Sequence, residues 1–105
     1  MAHEISVSDL NLEIQTGAWV LDVREPDEWI DGHVPTAHHI PLAQVPDNIH
    51  KIPQDEKIFV ICAAGGRSMS AADFLLSKGY DAVSVAGGTM GWIAGGHEVS
   101  FADSL

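Results

Sequence analysis

The sequence predicts a single α/β domain in which a mainly parallel sheet of about five strands carries helices on both faces. Three observations support this fold. The chain of 105 residues is long enough for one compact domain and too short for two. Short apolar runs rich in β-branched residues alternate along it with helical patterns. Glycine or proline stands at most of the junctions between them, where chain direction changes.

The first part of the chain predicts two helices and two strands. A serine and an aspartate in capping-box spacing precede an apolar stripe, which predicts a helix over 7–16. The run 19–23 has the composition of a strand buried on both faces. Residues 25–30 combine an early proline with acidic residues, which favours one or two helical turns. The segment 38–40 lies between two prolines and is interpreted as a short strand.

The second part continues the alternation of helix and strand. A weak helical pattern covers 42–49, and the strongest strand signal in the sequence follows at 57–61. Residues 68–77 carry an apolar stripe that ends at a lysine and a glycine, which predicts a helix. Another short apolar strand is predicted at 82–86, and a helix of small residues at 88–94.

Charge excludes two classes of partner. Fifteen acidic residues against five basic ones give a formal net charge of −10, and the basic residues are scattered along the chain. Such a surface repels nucleic-acid phosphates and anionic lipid headgroups. We therefore expect neither nucleic acid nor a membrane as a partner.

Cysteine content bounds the redox chemistry. Cys62 is the single cysteine, so an internal disulfide, a redox pair of cysteines and a zinc site of several thiolates are all excluded. The N-terminus lacks the basic and apolar regions of a secretory signal, and we expect a cytoplasmic protein. The predicted domain covers 1–105, with its core at about 4–97 and a C-terminal tail at 98–105.

An anion-binding loop is predicted directly after the strand over 57–61. Ligands of open parallel sheets bind where the carboxyl ends of strands meet the following helices, and Cys62 lies at such an end. The next residues are mostly small, so several backbone N–H groups can point into one concavity beside a helix start. The predicted anion-binding residues are Ala63, Ala64, Gly65, Gly66, Arg67 and Ser68.

A cysteine in such a loop is expected to be a nucleophile. Thiol pKa values fall from about 8.5 to between about 3.5 and 7.5 in comparable settings, so Cys62 is expected to be a thiolate. Arg67 adds a permanent cation at the end of the loop. Because the loop itself stabilises the anion, no neighbouring histidine base is required.

Three segments of the chain resemble motifs of the rhodanese family of sulfurtransferases. The loop at 62–67, C-A-A-G-G-R, resembles the family's C-x-x-G-x-R pattern. Residues 21–24 and 28–35 resemble its D-x-R and E-(F/W)-x-x-G-H-I-P elements, and 87–92 resembles its G-G-x-x-x-W element. The motifs occur in family order along nearly the whole chain, so the chain resembles a single-domain rhodanese.

The resemblance implies sulfur transfer without a cofactor. Cys62 would take the outer sulfur of a donor such as thiosulfate or a persulfide, and pass it to a small acceptor such as cyanide or a cellular thiol. A second hypothesis is a sulfur-relay module whose donor or acceptor is a protein. A third is a non-catalytic regulatory domain of the same family, which the retained cysteine disfavours.

Four further residues are expected to support the site. By the same resemblance, Asp22 and Arg24 anchor loops through charge-assisted hydrogen bonds. Glu28 is interpreted as part of that scaffold or of a solvated helix face. His33 falls within the G-H-(I/V)-P element and is expected to be structural.

Two other chemistries are disfavoured. Dual-specificity phosphatases that resemble this fold carry five residues between cysteine and arginine, whereas four separate Cys62 from Arg67, which makes a tighter ring. A metal site is not expected either. The candidate ligands are His33, His38 and His39, but adjacent residues of a strand point to opposite faces, so His38 and His39 cannot easily share one ion.

Overall fold

The structure, a computed structural model, describes residues 1–101, which form a five-stranded parallel sheet with helices on both faces. The strands are β1 (Glu4–Ile5), β2 (Trp19–Asp22), β3 (His38–His39), β4 (Ile58–Ile61) and β5 (Ala82–Val85). The α-helices are α1 (Val7–Ile14), α2 (Pro26–Ile30), α3 (Gly66–Ser77) and α4 (Gly88–Ala94). The strand order is β1-β5-β4-β2-β3, and every neighbouring pair is parallel. The predicted fold class is confirmed.

The two faces of β4 belong to two separate parts of the core. Ile58 and Val60 pack with α3 on one face, whereas Phe59 and Ile61 pack with α1 and α4 on the other. Alternation along a strand produces this division, because successive side chains point to opposite faces. With both faces covered, β4 is fully buried, and the loop after it emerges from the centre of the sheet.

The helix predicted over 42–49 is wrong in type and extent. The structure has two short 3-10 helices there, Leu42–Gln44 and Pro46–Lys51. Pro46 has no N–H to continue a first helix, and Asn48 has a non-helical φ of −117°. The chain therefore passes through this segment in separate tight turns.

Strand β1 is the one strand of the described sheet that the sequence patterns did not locate. It has two residues, pairs with β5 and lies at the sheet edge. Two residues are too few for an alternating pattern, and Glu4 is exposed.

Part of the C-terminal segment is attached to the domain. His33 and Ser100 exchange two backbone hydrogen bonds of 2.9 Å in an antiparallel bridge. The Trp92 side chain donates from Nε1 to the Glu98 carbonyl at 2.7 Å, and Trp92 is buried, as expected from its place in the last helix. The rest of the predicted tail, 102–105, lies outside the described residues.

Candidate active site

Cys62 lies at the carboxyl end of β4, the middle strand of the sheet. Its side chain is buried against the α3 side of the core, with 1% of the residue exposed. The Gly65 N–H donates to Cys62 Sγ at 3.1 Å. Gly65 has a φ of +121°, which only glycine adopts without strain, and this conformation turns its N–H back towards the sulfur. We call residues 62–68 the sulfur loop.

Helix α3 begins earlier than the pattern predicted. It starts at Gly66 rather than Ser68, because Gly65 completes the turn and lets the chain enter the helix at once. Gly66, Arg67 and Ser68 thus form the first helical turn, whose N–H groups lack acceptors within the helix. Gly65 takes a positive φ, whereas Gly66 does not.

The surroundings of Cys62 favour its thiolate. Burial of the sulfur raises the pKa and is the largest single influence. Hydrogen bonds from the Ser68 side chain and from the N–H groups of Ser68, Gly65 and Ala64 act in the opposite direction. Together they outweigh burial, so the pKa of the Cys62 thiol lies below its ordinary value. The sulfur is therefore held in a site that binds its anion.

A pair of buried serines lies behind the sulfur. Ser68 Oγ is 3.4 Å from Cys62 Sγ and 2.7 Å from Ser84 Oγ, and both serines are fully buried. Ser84 comes from β5, where its neighbours along the strand are apolar. The sequence patterns above do not indicate Ser84 as a site residue. The available signal was a polar residue inside a strand otherwise suited to burial on both faces.

The first residues of α4 hydrogen-bond to the backbone of the sulfur loop. The N–H of Thr89 donates to the Cys62 carbonyl at 2.8 Å, and that of Met90 donates to the Ala63 carbonyl at 3.0 Å. Gly88 makes this approach possible. A Cβ at Gly88 would lie 2.5 Å from both carbonyl oxygens, and its φ is +57°. The G-G element thus positions the loop through backbone contacts.

Arg67, in the first turn of α3, is paired with Glu28 of α2. Its two terminal nitrogens donate to the two carboxylate oxygens at 2.7 and 2.9 Å. These hydrogen bonds lower the pKa of Glu28 to about 2 and raise that of Arg67 further. The predicted cation is present, but its fork is occupied by a carboxylate. Glu28 lies in α2, so the pair ties this helix to the sulfur loop.

Asp22 and Arg24 form a second, buried ion pair at the end of β2. Arg24 donates to both carboxylate oxygens of Asp22, at 2.8 Å for the closest contact, and also to the Gly32 carbonyl. Asp22 is wholly buried and Arg24 is 5% exposed. The pair thus links the end of β2 to the backbone at Gly32, which follows α2.

The three histidines considered as metal ligands stack on tryptophans. His33 contacts the Trp29 carbonyl through Nδ1 at 2.7 Å and stacks on the Trp29 ring. His39 also stacks on Trp29, whereas His38 stacks on Trp19, and burial lowers the pKa of His38. Within residues 1–101, no three histidine, cysteine or acidic residues are grouped to hold a metal.

Fold and site together define a parallel α/β protein that presents one thiol in a ring of N–H donors at its central strand. The chain belongs to the rhodanese-like domain family, whose model matches residues 6–95. In the part of the chain that the structure describes, no helix is long and apolar enough to cross a membrane.

Relatives of known name support the same class. A Bacillus subtilis protein named as a sulfurtransferase, YtwF, is 34% identical over 91 residues, covering 85% of this chain and 88% of that protein. A Pseudomonas putida thiosulfate sulfurtransferase, GlpE, is 37% identical over 86 residues, covering 81% of this chain and 78% of that protein. The crystal structure of a rhodanese-related protein from Thermoplasma volcanium superposes with a TM-score of 0.90 at 37% identity, covering 95% of this chain and 99% of that one. These relatives support a rhodanese-type sulfurtransferase in general terms.

Proposed function

We propose that this protein moves a sulfane sulfur from a donor to a thiophilic acceptor through a persulfide on Cys62. With thiosulfate, the Cys62 thiolate attacks the outer sulfur. A bond forms between the two sulfurs, and the sulfur–sulfur bond of thiosulfate breaks with its electron pair leaving on sulfite. One thiolate and one dianion thus become one persulfide anion and one dianion, so charge balances.

The second step returns the enzyme to its starting state. A thiolate or cyanide attacks the outer sulfur of the persulfide and takes it, and the electron pair of the broken bond returns to Cys62. No resolving thiol is needed, because the acceptor comes from solution. A thiol that must stay reduced between turnovers suits the cytoplasmic location expected from the sequence.

The observation that carries this proposal is the Gly65 N–H at 3.1 Å from a buried Cys62 Sγ. Fixed donors around a sulfur stabilise an anion without moving during the reaction. The thiolate and the persulfide are both monoanions, so the same donors can serve each state. The Ser68 hydroxyl, 3.4 Å from the sulfur, accepts from the neutral thiol and can turn its own proton towards the thiolate or the persulfide.

Intact mass after incubation with thiosulfate tests the proposal. We expect the wild-type protein to gain one sulfur atom and to lose it on addition of cyanide, and Cys62→Ser to gain none. Ser77→Ala is the matched control, because Ser77 lies at the far end of α3 and donates to Phe74. Wild-type protein that gains no sulfur from thiosulfate or from an organic persulfide would contradict the proposal.

A relay role with a protein or organic persulfide donor is the second candidate. The guanidinium of Arg67, the basic residue of the sulfur loop, is bound by Glu28, and the whole chain carries a net charge of −10. Both facts disfavour rapid capture of a free dianion. If relay is the main role, an organic persulfide should load Cys62 faster than thiosulfate does. The thiosulfate rate should also rise with salt, because salt screens the repulsion.

A further inference from the structure

We propose that Ser84 is a positioning residue that acts through Ser68 to hold Cys62 in its thiolate form. Ser84 does not touch the sulfur. Its hydroxyl lies 2.7 Å from that of Ser68, which in turn lies 3.4 Å from Cys62 Sγ. The three groups come from β5, α3 and the end of β4, so the fold brings them together from separate elements.

The direction of the hydrogen bond between the serines follows from their partners. Within residues 1–101, Ser84 Oγ has one hydrogen-bond partner, which is Ser68. Ser68 Oγ also lies 3.1 Å from the Gly65 carbonyl and near Cys62 Sγ. If Ser68 donated to Ser84, the Ser84 proton would be buried without an acceptor, which is costly. Ser84 therefore donates, and Ser68 accepts.

This arrangement distinguishes the two protonation states of the sulfur. A neutral thiol donates its proton to the second lone pair of the Ser68 oxygen, and this oxygen is a weaker acceptor because it already accepts from Ser84. A thiolate needs donors, and Ser68 can turn its own proton from the Gly65 carbonyl to the sulfur. Donation by Ser84 also polarises the Ser68 hydroxyl and strengthens it as a donor. The serine pair thus favours the thiolate over the thiol.

Ionisation of Cys62 can be measured without any sulfur donor, by following the ultraviolet absorbance of the thiolate against pH. We expect Ser84→Ala to raise the midpoint by about half a pH unit, which is an approximately threefold fall in thiolate below the midpoint. Ser68→Ala should raise it by at least as much. Ser84→Thr, which keeps the hydroxyl, should restore the wild-type midpoint, and Ser77→Ala should leave it unchanged.

The double variant Ser68→Ala/Ser84→Ala separates a role through Ser68 from an independent one. If Ser84 acts through Ser68, the double variant should titrate like Ser68→Ala alone. Removing both hydroxyls leaves no unpaired partner behind, so this protein should fold even if Ser84→Ala is unstable.

Two results would overturn the inference: an unchanged midpoint in folded Ser84→Ala, or a further shift when Ser84→Ala is added to Ser68→Ala. Only the kinetic consequence rests on the proposed function, namely that the pH profile of persulfide formation moves with the thiolate midpoint. A protein that shows the midpoint shifts but gains no sulfur would refute the sulfur transfer and leave the role of Ser84 intact.

Discussion

Replacing Glu28 by glutamine tests how strongly the sulfur loop is tied to α2. Glu28→Gln keeps the size of the side chain and one oxygen that can accept from the Glu25 N–H. This hydrogen bond is part of the N-terminal cap of α2. It removes the negative charge. It also replaces one of the two oxygens that accept from Arg67 by an NH2 group, which is a donor and cannot accept. The substitution therefore targets the ion pair and spares the cap.

The pKa of Glu28 sets a ceiling for the effect. A fall from 4.5 to about 2 corresponds to about 3 kcal/mol of differential stabilisation. The two side chains are 36% and 30% exposed, however, so solvent screens the pair. Exposed pairs contribute up to about 1 kcal/mol, and we expect Glu28→Gln to lose about this much stability. Such a loss lowers the unfolding temperature by about 4 °C.

The pH dependence gives the sharper test. A carboxylate whose pKa is lowered by folding stabilises the protein above its unfolded pKa, and loses this contribution as pH falls through the folded value. The difference between wild type and Glu28→Gln should thus be constant above pH 4.5 and shrink towards pH 2. Urea unfolding followed by circular dichroism measures it, with Asp27→Asn as a control for charge on the same helix. Two results would refute this account of the pair: Glu28→Gln as stable as Asp27→Asn near neutral pH, or an undiminished difference between wild type and Glu28→Gln at pH 2.

Three other substitutions probe the support of the sulfur loop. Gly88→Ala should slow persulfide formation at least tenfold, because its Cβ would collide with two carbonyl groups of the sulfur loop. Gly79→Ala is the control: Gly79 also has a positive φ, but no atom lies within 4 Å of the added Cβ, so this variant should lose stability without a change in rate. Asp22→Asn should cost about 3–5 kcal/mol in urea unfolding, since it leaves the charge of Arg24 buried without a counterion. Arg67→Ala should keep the fold and slow persulfide formation at least tenfold, or about 1.4 kcal/mol.

Each of these expectations has a clear contrary result. Equal rates for Gly88→Ala and Gly79→Ala would mean that the loop does not depend on the close approach of α4. An Asp22→Asn protein of wild-type stability would remove the anchoring role of that pair. An unchanged rate in Arg67→Ala would reduce Arg67 to loop packing. If only the tether matters, Glu28→Gln should slow the reaction as much as Arg67→Ala does.

The predictable features of the chain are those that local pattern determines. Runs buried on both faces, such as 57–61, gave the positions of the longer strands, and small residues after Cys62 indicated a loop of N–H donors. Helix α3 began two residues early because the conformation of Gly65 depends on the loop as a whole. Strand β1 and the Ser84 contact depend on pairing between distant segments, which no single run of residues encodes.

The pairing of Arg67 bears on which chemistry the loop can perform. Phosphoryl transfer needs donors that bind several oxygens of the transferred group, and an arginine at the end of the loop can donate two hydrogen bonds to such oxygens. Here the fork holds the two oxygens of Glu28 instead. What remains for a ligand is a small ring of N–H groups and one hydroxyl centred on a single sulfur. This small ring around one sulfur supports the proposed persulfide over a phosphoryl group, and the pairing of Arg67 adds to the argument from residue spacing.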